Sequence, residues 1–254
     1  MLGDLLSVEA YQFMLTFCRV GAAIMVLPIF SASFVNVTVR LALALAISAV
    51  LTPEVMASFP PEPASVLDLL LLFGLEIAIG IFIGLIPVFL LSALELAGSN
   101  IGLSLGFSNA AMFDPVNNSQ SMLTNTFLSY VAILMILALN LHYLMLAAVF
   151  DSYTLFVPGK GIPVGDMADF LSQTLAAAFK IGFEISAPFV VFSIILNVGM
   201  GILSRLMPQL NVLFLVMPMQ SFFGLALLMM VLPTIMICVL GYLDEGLTSF
   251  MYPA

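Results

Sequence analysis

Lys180 and Glu184 stand four residues apart in an otherwise apolar run, so a helix sets an ammonium beside a carboxylate on one face. At membrane depth such a pair either neutralises itself as a structural ion pair or serves as a proton relay. Asn197, Gly201 and Arg205 repeat the four-residue spacing and put an amide, a gap and a guanidinium on a shared face. Pro208 then ends or kinks that helix, and Gln209 and Asn211 add hydrogen-bonding groups at the break. A broken helix frees backbone carbonyls that need protein or water partners. The stretch reads either as a satisfied joint within the chain or as an interface or conduit wall. Glu95 lies three residues before Gly98, and Gly98, Gly102 and Gly106 follow at four-residue intervals, as do Gly80 and Gly84. That pattern allows close backbone packing, or a partner- or pore-facing stripe that begins with a carboxylate. Glu76 and His142 are each alone in apolar sequence, while Arg19 and Arg40 are placed to cap helix ends or to meet carboxylates of another subunit.

Catalytic constellations are missing. The Pro158-Gly159-Lys160-Gly161 turn lacks the spacing of a phosphate loop, and no nucleophile elbow or H-E-x-x-H motif occurs. One histidine and two cysteines in apolar runs, Cys18 and Cys238, supply no metal site or disulfide framework. The sequence therefore predicts a protein that is not an enzyme, with no cofactor and no metal. Only five residues are lysine or arginine and none cluster, which excludes nucleic-acid binding by phosphate neutralisation. The net charge of −9 reflects that scarcity, which also removes the signal for membrane orientation.

The elements that carry these groups are helices in a membrane. The chain is 63% hydrophobic and 7% charged, against roughly 45–50% and about 25% in soluble domains. Apolar segments at about 10–30, 38–52, 66–106, 123–150, 170–206 and 210–243 are long and unbroken, unlike the alternating ~10-residue strands of a membrane barrel. The predicted fold is all-α, without a β-sheet. Segments 53–65 and 157–169 are rich in proline, glycine and acidic residues and read as aqueous, and 108–121 is a third polar segment. Straight helices over 66–106 and 170–206 would reach about 60 Å and about 55 Å, against ~30 Å of hydrocarbon. Each holds a mid-segment proline, Pro87 or Pro188, so each is either a bent hairpin of two shorter helices or a rod that stands clear of the bilayer. Asp4 and Glu9 without a basic flank argue that the first apolar run is not a cleaved signal. Seventeen methionines fill gaps in a core or form a soft seal around a moving polypeptide. No internal boundary is evident, and residues 1–254 read as a single unit.

The spacing Asn197, Gly201, Arg205, Pro208, Gln209, Asn211, followed by Pro218, resembles the signature of the FliR family of flagellar biosynthetic proteins and their SctT/SpaR-type injectisome relatives. Further stretches agree in order: Arg19-Val20, Leu27–Phe30, Val39–Pro53, Glu76–Gly84, Glu95–Gly102 and Asp114-Pro115. The resemblance spans nearly the whole chain. One departure is Asn140-Leu141-His142-Tyr143, where many members carry Gly-His-His, which argues against an essential histidine pair.

The resemblance implies a subunit of the bacterial type III secretion export gate, flagellar on overall likeness, in the inner (cytoplasmic) membrane at the flagellar basal body. It implies long kinked helices, with a FliP-like part over about 1–190 and a FliQ-like helical hairpin over about 191–254. Implied partners are FliP-like and FliQ-like subunits, an FlhB-like and an FlhA-like protein, unfolded export substrates and membrane lipid. A plug loop for the closed conduit maps onto Gly106 to Met122, with Phe107, Met112, Phe113, Asp114, Pro115 and Asn117. Glu95, Gly98, Gly102, Lys180, Glu184, Asn197, Gly201, Arg205, Pro208, Gln209 and Asn211 form the expected subunit interface or polar seam. A small-molecule secondary transporter using Lys180, Glu184 and Glu76 as coupling groups is the competing reading, although inverted repeats are not evident. A lipid-modifying membrane enzyme lacks the acid-base or metal cluster it would need.

Overall fold

Peptide groups in hydrocarbon must bond within the protein, so each apolar run closes its own ladder as a helix. The computed structural model describes residues 2–32, 34–63, 65–107, 120–207, 209 and 212–251. Along them run α1 (Leu2–Val26), α2 (Val37–Val55), a 3-10 turn (Met56–Ser58) and α3 (Val66–Ser104). The chain continues with α4 (Gln120–Ala138), α5 (Leu141–Leu155), α6 (Val164–Leu206) and α7 (Val212–Met251). No strand occurs among the described residues. Val37–Val55, Val66–Ser104, Val164–Leu206 and Pro218–Met251 are each long and apolar enough to cross a membrane, and α4 with α5 make a fifth, broken candidate. The protein is an all-α integral membrane protein.

The two overlong segments are not hairpins. α3 runs for 39 residues through Pro87 and α6 for 43 through Pro188. The prolines remove only the N–H that would have met the carbonyls of Ile83 and Glu184, and neighbouring turns carry the helix past the gap. At 1.5 Å per residue the rods are about 58 Å and about 65 Å long. Even a tilt of about 40° fits only about 39 Å of helix into ~30 Å of hydrocarbon. Both rods therefore extend beyond the apolar layer. α6 also starts earlier than hydropathy indicates, because Asp166 in its first turn favours the positive end of the helix dipole and helix does not require apolar sequence. The expected 123–150 run is interrupted at Asn140, whose φ of 60 ends α4 and starts α5. Asparagine tolerates this left-handed conformation better than most residues.

The helices divide between two compact units, and α3, α6 and α7 supply residues to both. The first unit comprises 1–90, 140–174 and 243–254. In it α1 packs on α2, and α1 is buried along Tyr11, Leu15, Arg19 and Ala23, while α2 has Ala44, Ser48, Thr52 and Val55 as buried positions. Ser48 and Thr52 satisfy themselves on Ala44 O and Ser48 O, both at 2.7 Å. α3 meets α1 where both lack bulk. A Cβ on Gly80 would overlap the Arg19 carbonyl oxygen, and one on Gly84 would sit 2.7 Å from Val26 Cβ. Phe82 contacts Phe156, Phe170 and Phe250 edge-on at ring centroids 5.8, 6.4 and 6.0 Å apart.

At the centre of this unit lies Arg19, with no exposed surface. The sequence left it to a helix cap or another subunit; the structure pairs it within the chain. Its Nε donates to Glu76 Oε2 at 2.6 Å and its Nη2 to Oε1 at 3.1 Å, a fork on both carboxylate oxygens. Nη1 donates to Ser152 O at 3.1 Å and Oγ at 3.3 Å, and Nη2 also donates to Phe156 O at 2.9 Å. The Tyr153 ring stacks 4.0 Å from the guanidinium carbon. Arg40 caps no helix end either: its Nη2 donates to Ala32 O and Val35 O, each at 3.3 Å, in the connection between α1 and α2.

Breaking such a buried pair leaves an uncompensated charge worth about 3–5 kcal/mol, whereas replacing both ions by apolar groups is often neutral. Arg19→Met should therefore lower the thermal unfolding midpoint of the detergent-purified chain sharply. Adding Glu76→Leu to it should restore most of the loss.

Candidate functional site

The second unit comprises 91–139 and 175–242 and holds most residues expected to act. α3 ends in it at Ser104, leaving carbonyls without intrahelical donors. Gly106 turns the chain there with φ +79, and its N–H donates to Leu103 O at 3.1 Å. Two side chains of α7 take the freed carbonyls: Gln220 Nε2 donates to Ser104 O at 2.8 Å and Ser221 Oγ to Leu105 O at 3.2 Å. Gln220 is only 5% exposed, and a Cβ on Gly106 would come within 3.1 Å of its Cδ. Ser104 Oγ folds back onto Asn100 O at 2.8 Å. The end of α3 is thus locked by polar groups immediately before the predicted plug segment. Sequence reasoning missed Gln220 and Ser221; the available signal was an amide two residues after Pro218 in a membrane-length apolar helix.

Gly106 and Phe107 are described, whereas Met112, Phe113, Asp114, Pro115, Asn117 and the side chain of Met122 lie outside the described residues, as do Pro208 and Asn211. Gly98 and Gly102 are buried, and a Cβ on Gly98 would stand 2.8 Å from Asn125 Cα, so this glycine admits α4. Glu95 is exposed and its carboxylate has no partner among the described residues. It lies in a shallow concavity of about 240 Å³ with Ser92, Ser99, Asn125 and Phe179. Lys180 and Glu184 approach to 3.9 Å, but their side chains are 77% and 62% exposed, so the pair contributes little to stability.

The polar positions of the Asn197–Gln209 stretch that are described lie open. Asn197, Gly201, Arg205 and Gln209 are all exposed, and nothing lies within 4 Å of a Cβ placed on Gly201. Asn197 Nδ2 reaches only Ser193 Oγ at 3.4 Å, and Arg205 has no hydrogen bond or ion pair among the described residues. α6 ends at Leu206, two residues before Pro208, as the residue preceding a proline disfavours helix. Among the described residues no group of three His, Cys, Asp or Glu side chains could hold a metal ion. Glu76, offered above as a coupling carboxylate, has both oxygens taken by Arg19 in the first unit.

Residues 10–246 match the model of a family described as bacterial export proteins, family 1. The chain belongs to that family. It is similar to the flagellar biosynthetic protein FliR of Caulobacter vibrioides, 32% identical over 220 residues that cover 87% of this chain and 88% of the relative. FliR of Bacillus subtilis is 29% identical over 230 residues, 89% of this chain and 88% of the relative. The Yop proteins translocation protein T of Yersinia pestis is 26% identical over 224 residues, 87% and 85% of the two chains. As a member of this export family, the chain carries its open polar stretch and its locked α3 terminus inside the matched region.

The two kinds of polar group should respond differently to substitution. Gln220→Ala leaves the buried Ser104 carbonyl unpaired and should destabilise the purified chain by about 1–3 kcal/mol. Asn197→Ala, on an open face, should change stability by no more than about 0.5 kcal/mol. Thermal unfolding of both variants in one detergent checks the contrast.

Proposed function

We propose that this chain is a non-catalytic subunit of the type III secretion export gate, helping to form and close the conduit for unfolded flagellar proteins. The observation that carries this reading is the exposed polar stretch from Asn197 to Gln209 at the end of a membrane-length helix. Exposed amide and guanidinium groups on such a helix call for protein partners or a wet passage. Family membership supplies the kind of assembly. On this reading Asn197, Gly201, Arg205, Pro208, Gln209 and Asn211, with Glu95, Lys180 and Glu184, meet neighbouring FliP-like and FliQ-like subunits, and an FlhB-like protein lies outside them. An FlhA-like protein joins the same apparatus. The FliP-like part extends over about 1–190 and the FliQ-like hairpin over about 191–254. The assembly sits in the bacterial inner membrane at the flagellar basal body.

The plug is assigned to Gly106–Met122. Support comes from the resemblance and from the α3 terminus, where Gln220 and Ser221 hold the carbonyls that precede the segment. A segment that closes a conduit needs a fixed root, and buried hydrogen bonds of this kind provide one. The transporter reading has less support, because Glu76 is committed to Arg19 and the Lys180–Glu184 pair is open to its surroundings.

Gly201→Leu tests the interface. Among the described residues nothing occupies the space beside Gly201, so the variant should fold and melt like the parent yet fail to co-purify with co-expressed FliP-like and FliQ-like subunits. Unchanged co-purification would remove Gly201 from the interface. Deleting residues 108–119 should make cells leaky to ions without loss of the assembled complex, and an unchanged membrane conductance would count against the plug.

A further inference from the structure

Glu95 stands, like Glu76, within α3, a helix long and apolar enough to cross a membrane. Glu76 is answered by Arg19, and Glu184 on α6 by Lys180. None of the chain's five lysine and arginine side chains pairs with Glu95. Lys180 follows Phe179, which lines the Glu95 concavity, yet its ammonium lies 3.9 Å from Glu184. Arg205 is about 39 Å further along α6 from Phe179. Arg19 is committed to Glu76, and Arg40 and Lys160 belong to the first unit. The carboxylate is exposed in the second unit and the chain itself supplies no cation for it.

We propose that the concavity around Glu95 is the socket for a basic side chain of a neighbouring subunit. The inference rests on the export-gate reading and names the chemistry by which one partner is seated. The surroundings suit an organic cation. Ser92, Glu95 and Ser99 follow one face of α3 at three- and four-residue spacing, and Asn125 of α4 and the half-exposed Phe179 ring of α6 complete the wall. The carboxylate supplies the charge, hydroxyl and amide oxygens accept further N–H bonds, and the ring offers its negative face. Among the described residues no group of three His, Cys, Asp or Glu side chains accompanies Glu95, so the set does not suit a metal ion. Phe183, Val190 and Ile194 carry an exposed apolar face along α6 from Phe179. A partner helix laid on that face would bury apolar surface while its basic residue entered the socket. A charge pair closed off in this way fixes the register and orientation of the two surfaces.

The test is the strength of assembly between the full chain and co-expressed FliP-like and FliQ-like subunits, followed by dilution in detergent. Glu95→Gln keeps the shape and removes the charge. It should leave the thermal midpoint of the isolated chain unchanged, because the side chain is exposed, and weaken the assembly about thirtyfold. Glu245→Gln, which removes an exposed charge from the first unit, should leave assembly at the parental level. A photo-crosslinking phenylalanine analogue at Phe179 should capture a partner peptide that carries lysine or arginine at the point of attachment. Exchanging that residue for glutamate should restore assembly to Glu95→Lys. Parental assembly of Glu95→Gln overturns the proposal, as does capture of lipid alone or of a partner segment without a basic residue. Gly201→Leu separates this inference from the wider reading. If that variant fails to assemble while Glu95→Gln assembles normally, only the socket falls; if the parental chain does not assemble with these subunits, both fall.

Discussion

Where water is scarce, a polar group is stable only if another part of the protein answers it, and Arg19 shows how far that rule shapes this molecule. Its guanidinium carries five donors, and Glu76, Ser152 and Phe156 supply acceptors on α3 and at the end of α5. α3 can bring Glu76 so near only because Gly80, four residues on, lets its backbone touch that of α1 at Arg19 itself. The glycine spacing and the ion pair are thus one device seen from two sides. Remove the close approach and the carboxylate no longer reaches the charge it neutralises.

The same rule sorts the remaining polar groups. At the α3 terminus the backbone supplies the acceptors and α7 the donors, through Gln220 and Ser221. Along α2, Ser48 and Thr52 answer themselves. At Asn197 and Arg205 the described residues offer only Ser193 Oγ to the amide and nothing to the guanidinium, and both side chains are exposed. Satisfied groups build the fold; unsatisfied ones point to what lies beyond it. Membership of an export family fits a chain divided in this way.

Much of this was legible from residue order. Apolar length set the helical class, and prolines with acidic residues marked the connection expected at 53–65, although α2 continues through Pro53 to Val55 and the connection begins only at Met56. The spacing of Asn197, Gly201 and Arg205 identified a face that the structure leaves open. Other features were hidden because they depend on partners distant in sequence. Arg19 and Glu76 are 57 residues apart and each looked solitary, while Gln220 reaches across 116 residues to Ser104. Helix ends were also misplaced, since hydropathy senses solvent preference and the backbone continues through polar turns such as Val164–Asp169. Pro87 and Pro188 suggested breaks, yet a single missing N–H in a long ladder does not end the rod.

Asn140 carries a consequence for how this chain can vary. Its left-handed turn fixes the rotational phase of α5, and Ser152 and Phe156 lie one turn apart on that phase. Gaining or losing a single residue between them and Asn140 would turn the helix by about 100° and carry both carbonyls away from the guanidinium. The stretch from 140 to 156 therefore behaves like a key cut to length: residue identity can drift on its outer side, but the number of residues cannot.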